Sequence, residues 1–211
     1  RGRPLGPSRP VHPSPACSRT PPALASDSLG RGVVAWLASS CRKILVQRTD
    51  ALGHPVGETV DVLSRSSVNI GRLALAAAPD GRFIVVWEDG DGDGWGIFAR
   101  SFDTDGRPLG PVFQVNSHRP GDQIVPRVAM QGDGRFLVIW EAPGELVSPK
   151  LFGQSFAADG RRLGSDFPVD SEEPYAGETD ASLATDAAGR YVVAWRRGVE
   201  TINQRRLGDL P

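Results

Sequence analysis

The chain has 211 residues, a formal net charge of −1 and 39% hydrophobic residues, so it is long enough for one sizeable core. Its charges are balanced and no run of Lys or Arg occurs, so we expect neither a nucleic-acid partner nor attraction to an anionic membrane. No apolar stretch approaches the roughly 20 residues that span a bilayer, so we expect no membrane insertion.

The N-terminal segment of 22 residues is rich in proline, which is typical of a disordered tail. However, Arg3–Pro7 reads RPLGP, the same string as Arg107–Pro111 further along the chain. The repeat predicts an edge strand over residues 1–11, where proline is tolerated, and a loop over 12–22. Because residue 1 falls inside a repeat motif, we also expect the chain to be part of a longer protein.

Four similar units follow, and in each of them apolar runs are separated by turns that contain glycine. In the clearest unit, Pro79-Asp80-Gly81 and Asp105-Gly106 each join two runs, which is a strong signal for a β-hairpin. The units align on the tryptophans that end one apolar run each, at spacings of 51, 53 and 55 residues: Trp36, Trp87, Trp140 and Trp195. A period near 50 residues with four strands per unit is typical of a β-propeller blade.

We therefore predict an all-β fold, a β-propeller of four four-stranded blades in a single domain over residues 1–211. The predicted blades cover residues 23–62, 72–115, 127–169 and 181–207. The last blade is one strand short, and residues 1–11 have the sequence of an outer strand. Pairing of this segment with residues 200–207 would close a four-bladed ring and give a monomer. The alternative is an open part of a larger propeller.

Bulky and small residues recur at matching positions of the units. The repeated tryptophans are predicted to fill the wedges between blades, because each buries a large area. Small residues recur in the first strand of each unit, which lies nearest the axis of a propeller, where the blades converge: Ala25, Ala74, Ala129 and Ala184.

The loop after Trp87 alternates carboxylates with glycines in the string EDGDGDG. Asp89, Asp91 and Asp93 supply the closely spaced oxygens that calcium prefers, so we predict a weak calcium site there. The pattern is incomplete, because an EF-hand loop counted from Asp89 would end on Glu, where Arg100 stands. A solvated loop is the alternative, and calcium is the one cofactor that the sequence suggests.

Three further residues near these loops are candidate ligand contacts. Trp95 lies outside the repeat register, just after the glycine-rich loop, where its ring could contact a ligand. Glu88 and Glu141 follow the tryptophans of adjacent units, so we expect both to emerge on one face as surface acids. Such a pair could serve glycoside hydrolysis. No nucleophile, phosphate-loop, zinc or dinucleotide motif accompanies them, so we assign no catalytic residue.

The unit resembles a tandem repeat of large secreted and surface-associated bacterial proteins. The match is carried by five strings: Val128–Met130, Asp133–Phe136, the DGDG of 91–94, Gly96–Ala99 and Gly106–Gly110. The resemblance implies a β-propeller attached to adhesive, calcium-binding or enzymatic domains, in a secreted or cell-surface setting. It implies no particular reaction.

The chain has two cysteines, Cys17 and Cys41. Cys17 lies in the predicted loop that enters the first blade, and Cys41 lies between the second and third strands of that blade. Both loops open on the same face of an up-and-down blade. In an extracytoplasmic chain this favours a disulfide between them. Two buried thiols are the alternative.

Together these features predict a binding or scaffolding module without catalysis of its own. Its partner would be a protein or glycan ligand that the sequence does not identify. The alternative is a carbohydrate-active propeller, either a lectin or a glycosidase, with its site on the face that bears the loops after the repeated tryptophans.

Overall fold

A computed structural model describes residues 8, 10, 11, 20–38, 41–63, 70–117, 120–142, 150–169, 181–186, 188–197 and 201–207. Most of these residues lie in antiparallel sheets whose strands follow one another in chain order. The predicted N-terminal strand over residues 1–11 lies almost entirely outside the described residues, so it stays a prediction.

The described strands form three four-stranded sheets and one three-stranded sheet. The first sheet contains β1 (Ala23–Ser26), β2 (Gly32–Ala38), β3 (Lys43–Thr49) and β4 (Pro55–Asp61). The second contains β5 (Ile70–Ala77), β6 (Phe83–Gly90), β7 (Trp95–Phe102) and β8 (Phe113–Gln114). The third contains β9 (Ile124–Met130), β10 (Phe136–Ala142), β11 (Lys150–Phe156) and β12 (Arg162–Pro168). The fourth contains β13 (Ser182–Thr185), β14 (Tyr191–Arg197) and β15 (Thr201–Leu207).

The sheets pack face to face through their first strands, β1 on β5, β5 on β9 and β9 on β13. Within the described part of the chain, each of the three wedges between neighbouring sheets holds one apolar cluster. Trp87, Trp140 and Trp195 are buried in these wedges, one in each, as predicted. This is the architecture of a β-propeller, so the predicted fold class is confirmed. The described strands do not close the row of sheets into a ring.

The central strands of each sheet are apolar on both faces because both faces are covered. β6 and β10 are the clearest cases, since Phe83–Trp87 and Phe136–Trp140 are fully buried. In both of these sheets an aromatic ring of the central strand stacks on a ring of the following strand. The Phe83 and Phe102 rings have centroids 4.8 Å apart, and those of Phe136 and Phe156 are 4.9 Å apart. Such pairs fix the register of neighbouring strands.

Tight turns join the strands at one end of every sheet, which we call the turn face. Their glycines have positive φ, as predicted for these hairpins, for example 99° at Gly81. In seven described turns the first backbone N–H donates to the carbonyl of the fifth residue; they begin at Asp27, Asp50, Ala78, Asp103, Gln131, Ala157 and Asp186. The opposite end, which we call the loop face, carries the other connections, including residues 91–94 and the longer segment 115–123.

Two sequence expectations differ from the structure in detail. The blade predicted over residues 72–115 has four strands, but the outer one is short, since β8 covers only Phe113–Gln114. Pro111 has no backbone N–H to donate to the neighbouring strand, and the pairing before it is limited to a bridge between Phe102 and Pro108.

The second difference concerns the small residues of the first strands. Ala76, not Ala74, occupies the position of Ala25, Ala129 and Ala184, because it pairs with Ile84 three residues before the tryptophan. The other three alanines pair with the matching residues Val33, Leu137 and Val192. The offset is two residues, so both alanines lie on the same side of β5.

Among the described residues, the structure contains no helix that could cross a membrane.

Candidate functional site

The candidate site lies on the loop face, where the connection β6–β7 meets the connection β8–β9. Gly94 and Gly121 lie against each other there, because a Cβ on Gly94 would come within 3.2 Å of the Gly121 carbonyl carbon. The glycine-rich loop of the second sheet is therefore packed on the entrance to the third sheet. Residues of two blades come together at this point.

Trp95 begins β7 and joins the two loops. Its backbone N–H donates to Oδ1 of Asp122 over 3.0 Å, and its carbonyl accepts from the N–H of Gln123 over 2.6 Å. The Trp95 side chain is half-buried, whereas Asp122 is exposed. The half-buried Trp95 side chain and the exposed carboxylate that binds its backbone N–H are a candidate surface for a polar ligand that has an apolar side.

Beneath this surface lies a network of buried amides. Nδ2 of Asn116 donates to Oε1 of Gln123 over 2.6 Å, and Oδ1 of Asn116 accepts from the N–H of Ile97 over 2.9 Å. Asn116 and Gln123 are almost completely buried, at 2% and 0% exposure. Because buried amides are costly when unpaired, this network fixes the connection β8–β9 in one conformation.

Arg162 holds the same connection from the third sheet. Its Nη2 donates to the carbonyl of Gln114 over 3.0 Å and to that of Asn116 over 3.3 Å. Burial lowers the pKa of Arg162, and the nearby Asp166 carboxylate opposes this change. The guanidinium therefore links the end of the second sheet to the outer strand of the third.

Glu88 is buried, with 6% exposure, and is not the surface acid that the sequence predicted. Its Oε2 accepts from the N–H of Arg72 over 2.9 Å, and its Oε1 accepts from the N–H of Val125 over 2.7 Å. Val125 has an unusual φ of 57° for a β-branched residue. Glu88 thus ties together the first strands of two neighbouring sheets.

Glu141 occupies the matching position of the third sheet and is also buried, with 7% exposure. It pairs with Leu151 of β11 and Ile124 of β9. Both acids therefore lie at the loop-face ends of their strands, as expected, but inside the wedges. The prediction that Glu88 and Glu141 contact a ligand stays a prediction.

The three loop aspartates are not gathered into the predicted calcium site. Oδ1 of Asp89 accepts from the N–H of Gly90 over 2.9 Å, and Oδ2 of Asp91 accepts from Nε2 of Gln114 over 3.2 Å. Asp93 is exposed at the tip of the loop. Within the described ranges, no group of three or more carboxylate, imidazole or thiol side chains could hold a metal ion. A Cβ on Gly96 would meet Oδ2 of Asp91 at 2.7 Å, so Asp91 packs on the strand.

Cys41 is buried, with 7% exposure, next to the end of β2. Cys17 lies outside the described residues, so the predicted disulfide stays a prediction.

Sequence reasoning missed Asp122, Asn116 and Gln123. Asn116 directly follows the string FQV of 113–115, so the sequence could have identified it as the residue that ends the outer strand of the repeat. Nothing in the local sequence indicated that Asp122 would receive a hydrogen bond from Trp95, since the two residues are 27 positions apart.

No protein-family model and no curated protein matches the chain, but solved structures do. It is similar to "Hadza microbial sialidase Hz136", with a TM-score of 0.59 and 14% identity over 90% of this chain and 44% of that one. A thermostable family-43 glycoside hydrolase gives a TM-score of 0.54 and 12% identity over 90% and 69% of the two chains. The α-L-arabinanase of Penicillium chrysogenum gives a TM-score of 0.54 and 13% identity, over 88% of this chain and 56% of that one.

These similarities establish the β-propeller fold. The chain spans less than half the length of the sialidase that it matches. The predicted all-β fold of repeated antiparallel sheets is confirmed. Membership of the tandem-repeat family stays a prediction.

The comparisons overturn the prediction of a non-catalytic scaffold. The matching structures are named as a sialidase, a glycoside hydrolase and an arabinanase, which contradicts that prediction. The prediction rested on the absence of a local acid–base motif in the sequence. In a propeller, chemistry depends on side chains that separate blades bring together.

Proposed function

We propose that this chain is part of a carbohydrate-active β-propeller that hydrolyses glycosidic bonds. The observation that carries the proposal is the fold shared with a sialidase, a family-43 glycoside hydrolase and an arabinanase. The second support is chemical, because the loop face combines an aromatic ring with carboxylates from two blades. The activity belongs to the whole protein, of which this chain supplies at least one sugar-binding face.

Glycoside hydrolysis generally needs two carboxyl groups, one to protonate the leaving oxygen and one to activate water or attack the sugar. Asp93 and Asp122 are the exposed carboxylates beside Trp95. The apolar side of a sugar ring would pack on Trp95, while its hydroxyls would donate to these carboxylates. Glu88 is better suited to a supporting role, since both of its oxygens already accept backbone hydrogen bonds.

The proposal is tested with aryl arabinofuranosides and an aryl sialoside as chromogenic substrates, together with a glycan array. The informative variants are Asp122→Asn and Trp95→Ala. The amide introduced by Asp122→Asn would keep an oxygen that accepts from the Trp95 N–H, so the fold should persist. Loss of an acid or base should lower kcat by about 100-fold or more. Loss of the ring should mainly raise KM.

Asp159→Asn is the matched control, because Asp159 lies in a turn of the opposite face. Among the described residues its side chain accepts from its own turn alone, at the N–H of Arg161 over 2.9 Å. Its activity should equal that of the wild type. Binding on the array without turnover would identify a lectin. Neither binding nor turnover, in a folded full-length protein, would contradict the proposal.

We further propose that the protein acts outside the cytoplasm, at the cell surface or after secretion. The support is the similarity of its repeats to those of secreted bacterial proteins and the predicted disulfide.

A further inference from the structure

A cavity of about 120 Å³ opens on the turn face, between the first and second sheets. It lies on the opposite face from the proposed sugar site and in a different wedge, because that site is formed where the second and third sheets meet. Its wall is formed by one apolar patch, from Val33, Val56 and Ala77, and by polar side chains that include two arginines.

The acceptors of this cavity are already bonded within their own turns. Oδ1 of Asp27 accepts from the N–H groups of Leu29 and Arg31, both over 2.9 Å, and Oδ2 accepts from Nε of Arg31. The carboxylate of Asp50 is held in the same way by the backbone of its turn and by Nδ1 of His54 over 2.9 Å. Neither carboxylate needs a further donor.

The donors of the cavity, in contrast, are only partly used. Arg48 makes one hydrogen bond, from Nη1 to the carbonyl of Thr104 over 2.9 Å, and forms no ion pair with any described residue. Its Nε and Nη2 therefore remain available. Nη1 of Arg31 and the hydroxyl of Thr49 also have no hydrogen-bond partner within the described ranges. The cavity thus offers N–H and O–H donors, among them a guanidinium, that of Arg48, without an ion-pair partner among the described residues. The lining as a whole is formally neutral, because Asp27 and Asp50 balance Arg31 and Arg48.

The two inner sheets have no arginine at this position. Arg48 lies opposite Val33, and the matching positions hold Ser101 opposite Ile84 in the second sheet, Ser155 opposite Leu137 in the third and Arg206 opposite Val192 in the fourth. Both serine hydroxyls are buried and bond to no described group. The repeat therefore does not require an arginine at this position, and strand pairing alone does not account for Arg48.

We propose that this cavity binds an anionic group, a carboxylate or a phosphate, through Arg48 and Arg31. A planar guanidinium donates two parallel hydrogen bonds to either group, and such charge-assisted bonds are the strong ones. The volume accepts one acid group, and the opening to solvent lets the rest of a larger ligand extend outward. The group comes either from free phosphate or from an acidic sugar, and the shared chemistry is the oxyanion.

The test is calorimetric titration of the intact chain at low ionic strength with inorganic phosphate, with glucuronate and with neutral glucose. Saturable binding of phosphate or of glucuronate, and none of glucose, supports the proposal, and the anion that binds identifies the source. Arg48→Gln should weaken binding at least tenfold. Arg107→Gln should leave it unchanged, because the Arg107 side chain is 79% exposed on the same face and outside the cavity.

Arg48→Lys keeps the positive charge and the aliphatic part of the side chain, so it controls for a folding defect in Arg48→Gln. It should bind the anion with an affinity between those of the wild type and Arg48→Gln. The melting temperature of the wild type should also rise with the bound anion. Absence of saturable binding by the wild type, or equal binding by Arg48→Gln, would overturn the proposal. Neither outcome bears on hydrolysis at the loop face.

Discussion

At the scale of the residue, Glu88 has a structural role that its sequence position does not suggest. Its two oxygens bind the N–H groups of Arg72 and Val125, which belong to different sheets. A Cβ on Gly71 would come within 2.0 Å of Oε2, so a larger residue there would displace the carboxylate. The place where two blades begin therefore depends on three residues together: Glu88, Gly71 and Val125, whose backbone is left-handed.

Glu88→Gln should reduce the free energy of unfolding by about 1–3 kcal/mol, because an amide N–H₂ would face a backbone N–H that has lost its acceptor. Urea denaturation followed by tryptophan fluorescence measures the change. Glu58→Gln is the control, since Glu58 is exposed in β4. Equal free energies of unfolding for the two variants would show that the hydrogen bonds from the Arg72 and Val125 N–H groups to Glu88 do not contribute to stability.

The predicted disulfide also belongs to this scale. A Cys17–Cys41 bond should stabilise the first blade by about 3 kcal/mol, chiefly by restricting the unfolded chain. Neither cysteine should react with a thiol reagent after denaturation without reductant, and both should react after reduction. Labelling of both without reductant would exclude the bond.

At the scale of the element, the turn-face hairpins share a carboxylate that stabilises the turn. In the third sheet, Oδ1 of Asp133 accepts from the N–H of Arg135 over 3.0 Å, and Oδ2 accepts from its Nε over 2.8 Å. The backbone hydrogen bond from Arg135 holds the pKa of Asp133 below its usual value. The hydrogen bond from the N–H of Arg190 does the same for the pKa of Asp186 in the fourth sheet.

A carboxyl whose folded pKa is lowered contributes stability that is fully present above its unfolded pKa, near 3.8 here. That stability is lost as the pH falls from this value towards the folded pKa. We therefore expect the melting temperature to fall steeply below about pH 4. Asp133→Asn combined with Asp186→Asn should make the fall shallower.

Asp105→Asn is the matched control for this experiment, because the Asp105 side chain is 62% exposed and its nearest cation, Nη1 of Arg107, is 3.4 Å away. Identical acid profiles for the double variant and the wild type would contradict the role of the turn carboxylates.

At the scale of the whole molecule, the two end sheets carry apolar residues that the inner sheets bury. Ile97 and Leu151 of the inner sheets are at most 1% exposed, whereas Ile202, at the matching position of the fourth sheet, is 82% exposed. Leu24 of the first sheet is 70% exposed. These two faces have the composition of wedge-forming surfaces and are expected to be covered in the folded protein.

We expect residues 1–11 to complete the fourth sheet and the two end faces to meet in a closed monomer. Deletion of 1–11 should then lower the melting temperature strongly and produce dimers or aggregates, because an apolar face and a strand edge become exposed. Deletion of 208–211 is the control. Analytical ultracentrifugation and hydrogen exchange provide the measurements. An intact chain that is dimeric at low micromolar concentration, with unprotected amides at 201–207, would exclude closure.

The sequence by itself determined the repeated sheets. Apolar alternation, Gly-containing turns and the spacing of Trp36, Trp87, Trp140 and Trp195 indicate strand pairing between neighbours in the chain, and such local contacts leave a local pattern. The length of the outer strand β8 was overestimated because Pro111, which lies between the bridge at Pro108 and the strand at Phe113, has no N–H for pairing with β7.

Only the tertiary structure decided which side chains meet at the faces. Glu88 meets the N–H of Val125 across 37 positions of sequence, and Arg48 meets the carbonyl of Thr104 across 56. Contacts of this kind depend on the packing of one sheet on the next, and no periodic pattern encodes them. The burial of both glutamates, the separation of the three loop aspartates and the cavity at Arg48 could therefore be recognised only in the folded chain.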